Sequence, residues 1–166
     1  MMTVNEYSFE VIKLLGKGKG GYSYLVKKDN SLFVLKQIHH EPCDYYTFGD
    51  KLLSELNDYE KLKKLNLLLP KLLDVDYKNE RILKEYIEGD NVFDLVNENK
   101  MKDIYYEKIK SISLECKKHN LNIDYYPTNF IVRDDELYYI DYECNEYDSK
   151  WDFESWGSKY WSKKNE

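Results

Sequence analysis

The run Gly16-Lys17-Gly18-Lys19-Gly20-Gly21 does most to limit what this chain can fold into. Gly16, Gly18 and Gly21 stand in GxGxxG spacing, whose meaning depends on the elements it joins. Two strand-forming runs come next, YSYLVKK and LFVLKQI, parted by Asp29-Asn30-Ser31. Asp and Asn tolerate tight-turn backbone, so this segment predicts a hairpin. A dinucleotide-binding turn would feed a helix, which this one does not. The glycines instead join two antiparallel strands, where a missing Cβ lets backbone N–H groups approach phosphates.

The order of the remaining elements extends this reading. Tyr7 to Leu15 predicts a strand ahead of the glycines. From about Phe48 to Asn66, Leu52, Leu56, Tyr59, Leu62 and Leu65 recur at spacings of three and four, which predicts a helix. KLLDVD and RILKEYI then predict two strands around residues 77–80. The first half is thus an antiparallel sheet of five strands carrying one helix. After Gly89, residues 91–97 predict a short helix. Residues 101–120 predict a longer one, with Tyr105, Ile109, Ile112 and Cys116 on one face. FIVRDDELYYID predicts a hairpin turning at Asp134-Asp135 and ending in Asp141. The tail WDFESWGSKYW predicts a helix with its tryptophans in the core.

Composition sets the class. With 166 residues and 42% hydrophobic content, the chain has material for one domain or two small lobes with a packed core. No stretch approaches the roughly 20 apolar residues of a membrane span, and the opening MMTVNEYSFEV has no leader pattern. A cytoplasmic protein is expected. A net charge of −6 argues against general nucleic-acid binding. Cys43, Cys116 and Cys144 have no CxxC spacing, and reduced thiols are expected. His39-His40 with Cys43 lacks a fourth metal ligand nearby and is read as part of a loop.

Four polar residues stand out. Lys36 lies inside the strand LFVLKQI, fifteen residues after Gly21. Glu55 comes later, on the predicted helix. Asp124 sits five residues before Asn129, at the mouth of the strand Phe130-Ile131-Val132. Taken singly, each has a plain reading: the polar face of a strand, an exposed helical glutamate, and turn residues.

Taken in order, they resemble the protein-kinase-like superfamily. GKGKGGYSYLV resembles the kinase glycine-rich loop and FVLK the strand of the ATP lysine. ILKEYIEG resembles the hinge, NIDYYPTNFIV the catalytic loop, and LYYIDYE the strand ending in the metal-binding aspartate. WDFESWG resembles the start of a helix that anchors the lower lobe. The resemblance runs from about Leu15 to Gly157. It implies a two-lobed α+β fold: a five-stranded antiparallel N-lobe with one helix over about 1–86, and a truncated, mostly helical C-lobe over about 90–166. Residues 1–166 would form a single minimal kinase-like domain.

The resemblance also implies roles. Gly16, Gly18 and Gly21 would cradle the phosphates of ATP, with Glu85 and Ile87 among the nucleotide contacts. Lys36 would hold the α/β-phosphates, and Glu55 would hold Lys36. Asn129 and Asp141 would ligate Mg2+, for which oxygen donors are suited. Asp124 would orient the acceptor hydroxyl and take its proton.

Departures narrow the branch. Asn122 and Ile123 replace the usual histidine and arginine, so control by an activation-loop phosphate is not expected. Only ten residues lie between Asp141 and Asp152, with no APE-like motif. Ser23 replaces the usual valine, and Gly20 the aromatic at the loop tip. The stretch from Glu55 to LPKLLDVD and EYIEG resembles RIO kinases and the kinase of the tRNA threonylcarbamoylation complex. YPTNFIV and IDYE are similar to choline kinases and aminoglycoside phosphotransferases. A minimal serine/threonine protein kinase is the first expectation, acting on an unknown protein or small-molecule acceptor. A small-molecule kinase and a nucleotide-binding pseudokinase module are the alternatives.

Overall fold

A computed structural model describes residues 1–41 and 50–162. The described residues separate into two compact units, Met1–Glu55 with Pro70–Tyr86, and Leu56–Leu69 with Ile87–Glu166.

The first unit is built on one antiparallel sheet. Its strands are β1 (Met2–Val4), β2 (Tyr7–Lys17), β3 (Gly21–Lys28), β4 (Ser31–Ile38), β5 (Leu72–Asp76) and β6 (Arg81–Glu85). They lie in the order β1-β2-β3-β4-β6-β5. The turn between β3 and β4 is as expected: Lys28 faces Ser31, and Asp29 and Asn30 both have positive φ, 51° and 64°. Asp and Asn are among the few residues that accept this two-residue turn.

Six strands stand where five were expected. The extra strand, β1, folds back on β2 through Asn5, whose φ is 54°. The pattern MTV is too short to announce a strand, and long-range bonds hold it in place. Asn5 N–H donates to Asp76 Oδ2 at 2.8 Å, and Arg81 Nη1 donates to the Thr3 carbonyl at 2.8 Å. These bonds tie the β1–β2 turn and β1 to the far side of the same sheet, at β5 and β6. Val4, Phe9, Val26, Leu35 and Leu83 form one buried cluster on this sheet.

Helix α1 (Lys51–Leu62) contributes its first residues, 51–55, to this unit and the rest to the second. The start of the expected helix at Phe48 lies outside the described residues, as does Cys43.

The second unit contains α2 (Val92–Asn97), α3 (Asp103–Lys118) and five short strands. These are β7 (Asp90–Asn91), β8 (Leu121–Ile123), β9 (Phe130–Arg133), β10 (Glu136–Tyr139) and β11 (Cys144–Glu146). Strands β10-β9-β7 form one sheet and β11-β8 another, so this unit is mixed, not mostly helical. The β9–β10 hairpin repeats the earlier turn, with Asp134 and Asp135 at φ 52° and 59°. Tyr105, Ile109 and Cys116 of α3 are buried as the periodicity predicts, against Phe130, Tyr139 and Trp161.

The tail is not the expected helix. It forms two short 3-10 segments, Ser149–Trp151 and Gly157–Tyr160. Asp152 lies between them, and its carboxylate accepts the Ser155 N–H at 2.7 Å and the Tyr147 hydroxyl at 2.9 Å, in the manner of a residue that caps the turn after it. Of the three tryptophans only Trp161 is core, with no exposed surface, whereas Trp151 is half exposed. Trp161 Nε1 donates to the Tyr125 carbonyl at 2.7 Å. Gly157 lies so close to Tyr125 that an added Cβ would fall 2.6 Å from the tyrosine Cβ.

Both described thiols, Cys116 and Cys144, are free and buried. Burial pushes them up to about 11 and about 12 respectively. They are inert packing residues by that measure.

Candidate functional site

In the first unit the glycine-rich turn is held from behind. Residues 18–20 link β2 to β3, and Gly18 N–H donates to the Gly21 carbonyl at 2.9 Å. His39 Nε2 donates to the Gly18 carbonyl at 2.8 Å, and His39 N–H donates to the Gly20 carbonyl at 3.0 Å. Lys51 Nζ, nearly buried at the start of α1, donates to the carbonyls of Lys19 and His39 at 3.3 and 2.7 Å. All four carbonyls from Gly18 to Gly21 thus have protein donors. His39 and Lys51 were not among the expected site residues, because partners this distant in sequence leave no periodic mark. His40 faces Glu80 instead, at 2.7 Å, so the two histidines do not act as a pair.

The glycines divide into two kinds. A Cβ on Gly21 would lie 2.4 Å from the Gln37 carbonyl oxygen, so the β3–β4 pairing requires glycine there. A Cβ on Gly16 would meet nothing within 4 Å, and one on Gly18 would meet only the Gly21 carbonyl, at 4.0 Å. None of these glycines has a positive φ. Neither packing nor backbone geometry explains glycine at 16 and 18. Space beside a bare backbone fits the approach of a bulky anion.

Lys36 projects from β4 toward this turn. Its Nζ lies 4.0 Å from where a Gly20 Cβ would stand, and it meets Glu55 Oε1 at 2.5 Å. The side chains retain 13% and 10% of their surface. The other Glu55 oxygen, Oε2, is buried with no hydrogen-bond partner. The first unit therefore brings together Lys36, Glu55 and the tip of the glycine turn. Glu85 ends β6 opposite Phe33, and its N–H is committed to the Lys71 carbonyl at 2.9 Å. Ile87 is buried in the second unit.

In the second unit Asp124, Asn129 and Asp141 share one end of the β9–β10 hairpin. Tyr139 faces Phe130 in the register, and the Asn129 carbonyl accepts the Ile140 N–H at 2.9 Å. Asp141 is the next residue. Asn129 Nδ2 donates to the Asp124 carbonyl at 3.3 Å, which leaves Oδ1 as the amide atom suited to a cation. Asp124 Oδ1 accepts the Tyr126 N–H at 3.1 Å, fixing the carboxylate relative to its own loop. Pro127 starts the short 3-10 turn that returns the chain to Asn129.

Tyr139 lies at the centre of this group. Its hydroxyl accepts the Asp124 N–H at 3.1 Å and donates to the Glu143 carbonyl at 2.8 Å. Burial, then the carboxylates of Asp141 and Glu143, push the phenol well above its ordinary value. Asn122 donates Nδ2 to the Asp148 carbonyl at 2.8 Å, while its Oδ1 is buried with no hydrogen-bond partner.

Among the described residues no group of three or more His, Cys, Asp or Glu could hold a metal by itself. Asn129 and Asp141 supply two oxygen donors on adjoining strand ends. Oxygen donors of this kind would suit a hard divalent cation. Among the described residues no helix is long and apolar enough to cross a membrane.

No family model matches the sequence. The chain is similar to the EKC/KEOPS complex subunit bud32 of Dictyostelium discoideum, at 28% identity over 117 residues. The matched stretch covers 64% of this chain and 46% of the relative, so the chain spans less than half of that protein's length. Together with an α+β fold that has, among the described residues, a large antiparallel sheet and three α-helices, the match supports a kinase-like relationship at family level.

Proposed function

We propose that this chain is a cytoplasmic ATP-dependent phosphotransferase, a minimal atypical serine/threonine protein kinase. It would move the γ-phosphoryl group of Mg·ATP to a hydroxyl. The observation that carries this reading is the hydrogen-bonded frame that ties Asp124 to Asn129 and Asn129 to the residue before Asp141. An acceptor-orienting carboxylate beside two hard-oxygen donors is what phosphoryl transfer needs, since that chemistry depends on positioning and charge neutralisation.

Each residue then has a task. The backbone of the glycine turn and Lys36 bind the α/β-phosphates, and Glu55 holds Lys36 in place. Asp124 orients the acceptor hydroxyl and takes its proton as the acceptor oxygen bonds the γ-phosphorus. The bond from that phosphorus to the β–γ bridging oxygen breaks, and ADP leaves. Asn129 and Asp141 would hold magnesium, which when bound neutralises phosphate charge. Because the relative is by name a subunit of a complex, a protein partner or acceptor is part of the proposal.

The test is incubation with labelled ATP and magnesium, alone, with lysate protein, and with a panel of small alcohols. Label on serine or threonine of a protein is expected. Label on a small alcohol would move the assignment to a small-molecule kinase of the choline kinase or aminoglycoside phosphotransferase type. Nucleotide binding with no transfer in any arm would leave a nucleotide-binding module.

A further inference from the structure

The β8–β11 pair ends at an unusual place. Its last rung is Ile123 opposite Cys144. One step further, Asp124 and Glu143 would face each other across the same antiparallel ladder. Instead of that direct rung there is a side chain. The Tyr139 hydroxyl accepts the Asp124 N–H at 3.1 Å and donates to the Glu143 carbonyl at 2.8 Å. A side-chain oxygen thus sits between the N–H and the C=O that the ladder would otherwise bring together, and it holds the two segments apart.

We infer that Tyr139 is a positioning residue whose hydroxyl, wedged into this ladder, sets where Asp124 stands relative to the segment following Asp141. The inference rests on the phosphotransferase reading for its functional consequence. The wedge is well braced. Tyr139 has no exposed surface, and its ring lies 5.2 Å from that of Phe130 on the paired strand. Phe130 comes directly after Asn129, so one aromatic pair supports both sides of the frame. Removing only the hydroxyl would take away the bond it accepts from the Asp124 N–H and the bond it donates to the Glu143 carbonyl, or let the two groups close on each other. Either outcome displaces the Asp124 backbone.

The hydroxyl is removed by Tyr139→Phe, which keeps the ring. Tyr138→Phe serves as the control: its hydroxyl, on the same strand, accepts from Arg133 Nη2 at 3.0 Å and has no bond to Asp124. In Tyr139→Phe, kcat should fall about tenfold or more, because small displacements of a catalytic group are costly. KM for ATP should stay within about twofold, since a transition-state contact is what is lost. Tyr138→Phe should match the wild type in both. A second measurement needs no variant and no activity. Asp124 lies beyond the paired residues of β8, so an unbridged amide there should exchange hydrogen freely. In the wild-type protein it should exchange at least about tenfold more slowly than unpaired amides. Free exchange at Asp124, or an unchanged kcat in Tyr139→Phe with an active wild type, would overturn the inference. A wild type that transfers no phosphate would sink the proposed function instead, and the wedge would then stand or fall on whether the Asp124 amide exchanges faster in Tyr139→Phe than in the wild type.

Discussion

Lys36 Nζ stands 2.5 Å from Glu55 Oε1, and neither side chain is more than 13% exposed. Strand β4 and helix α1 are thereby joined at one point beneath the glycine turn. Removing one partner from a pair this buried strands the other charge and costs about 3–5 kcal/mol. Lys36→Ala should therefore lower the melting temperature and weaken ATP binding together. The double variant Lys36→Ala/Glu55→Gln separates the two effects. It should recover much of the stability and none of the affinity, measured by thermal melts with and without ATP. Recovery of ATP affinity in the double variant would remove Lys36 from the nucleotide site.

Asp141 comes after Ile140, whose N–H is fixed by Asn129, and it supplies the charged member of the proposed cation pair. Asp141→Asn keeps the shape and loses the charge. Turnover should disappear while ATP still binds in the absence of magnesium. Calorimetric titration with and without the metal, beside a transfer assay, checks both halves. Wild-type turnover in this variant would show that Asp141 is not the metal-binding strand end.

Asp124 faces the acceptor in the proposed reaction, not the phosphates. Asp124→Ala should bind ATP nearly as the wild type does and turn over about a hundredfold more slowly, the usual scale for a lost acid/base group. Ile123 beside it cannot pair with a phosphate, so phosphatase-treated wild-type protein should stay fully active. Loss of activity on phosphatase treatment would show that the segment after Asp141 is under phosphate control after all.

Gly157 tests the tail. A Cβ there would lie 2.6 Å from the Tyr125 Cβ and 3.2 Å from the Phe153 ring. Gly157→Ala should destabilise the protein by about 1–3 kcal/mol, as overpacked cores do. Because Tyr125 adjoins Asp124, turnover should fall at temperatures where the variant is still folded. A melting temperature equal to wild type would mean that the tail shifts freely against Tyr125.

Local chemistry makes much of this molecule readable in its sequence. The hairpins at Asp29-Asn30 and Asp134-Asp135 announce themselves because few residues accept positive φ. Helix α3 shows its buried face through the spacing of Tyr105, Ile109 and Cys116. Lys36 and Glu55 are legible as positions, and the structure pairs them. What the sequence conceals are bonds between distant residues. Strand β1 exists because Asn5 and Thr3 find Asp76 and Arg81, about seventy or more residues away. The carbonyls of the glycine turn are held by His39 and Lys51, which read as ordinary loop and helix residues. Tyr139 reads as one aromatic in a strand, and only the folded chain shows its hydroxyl reaching both Asp124 and Glu143. Trp151 and Trp161 are alike as letters, yet the second is fully buried and bonded to an acceptor inside.

The bond from Trp161 to the carbonyl of Tyr125 has a consequence for biosynthesis. A nascent chain stalled before residue 161 already carries Asp124, Asn129 and Asp141 but lacks the indole that fastens their loop. Without that indole the Tyr125 carbonyl, one residue from Asp124, loses its buried donor, so the order of this loop depends on a residue that emerges after it.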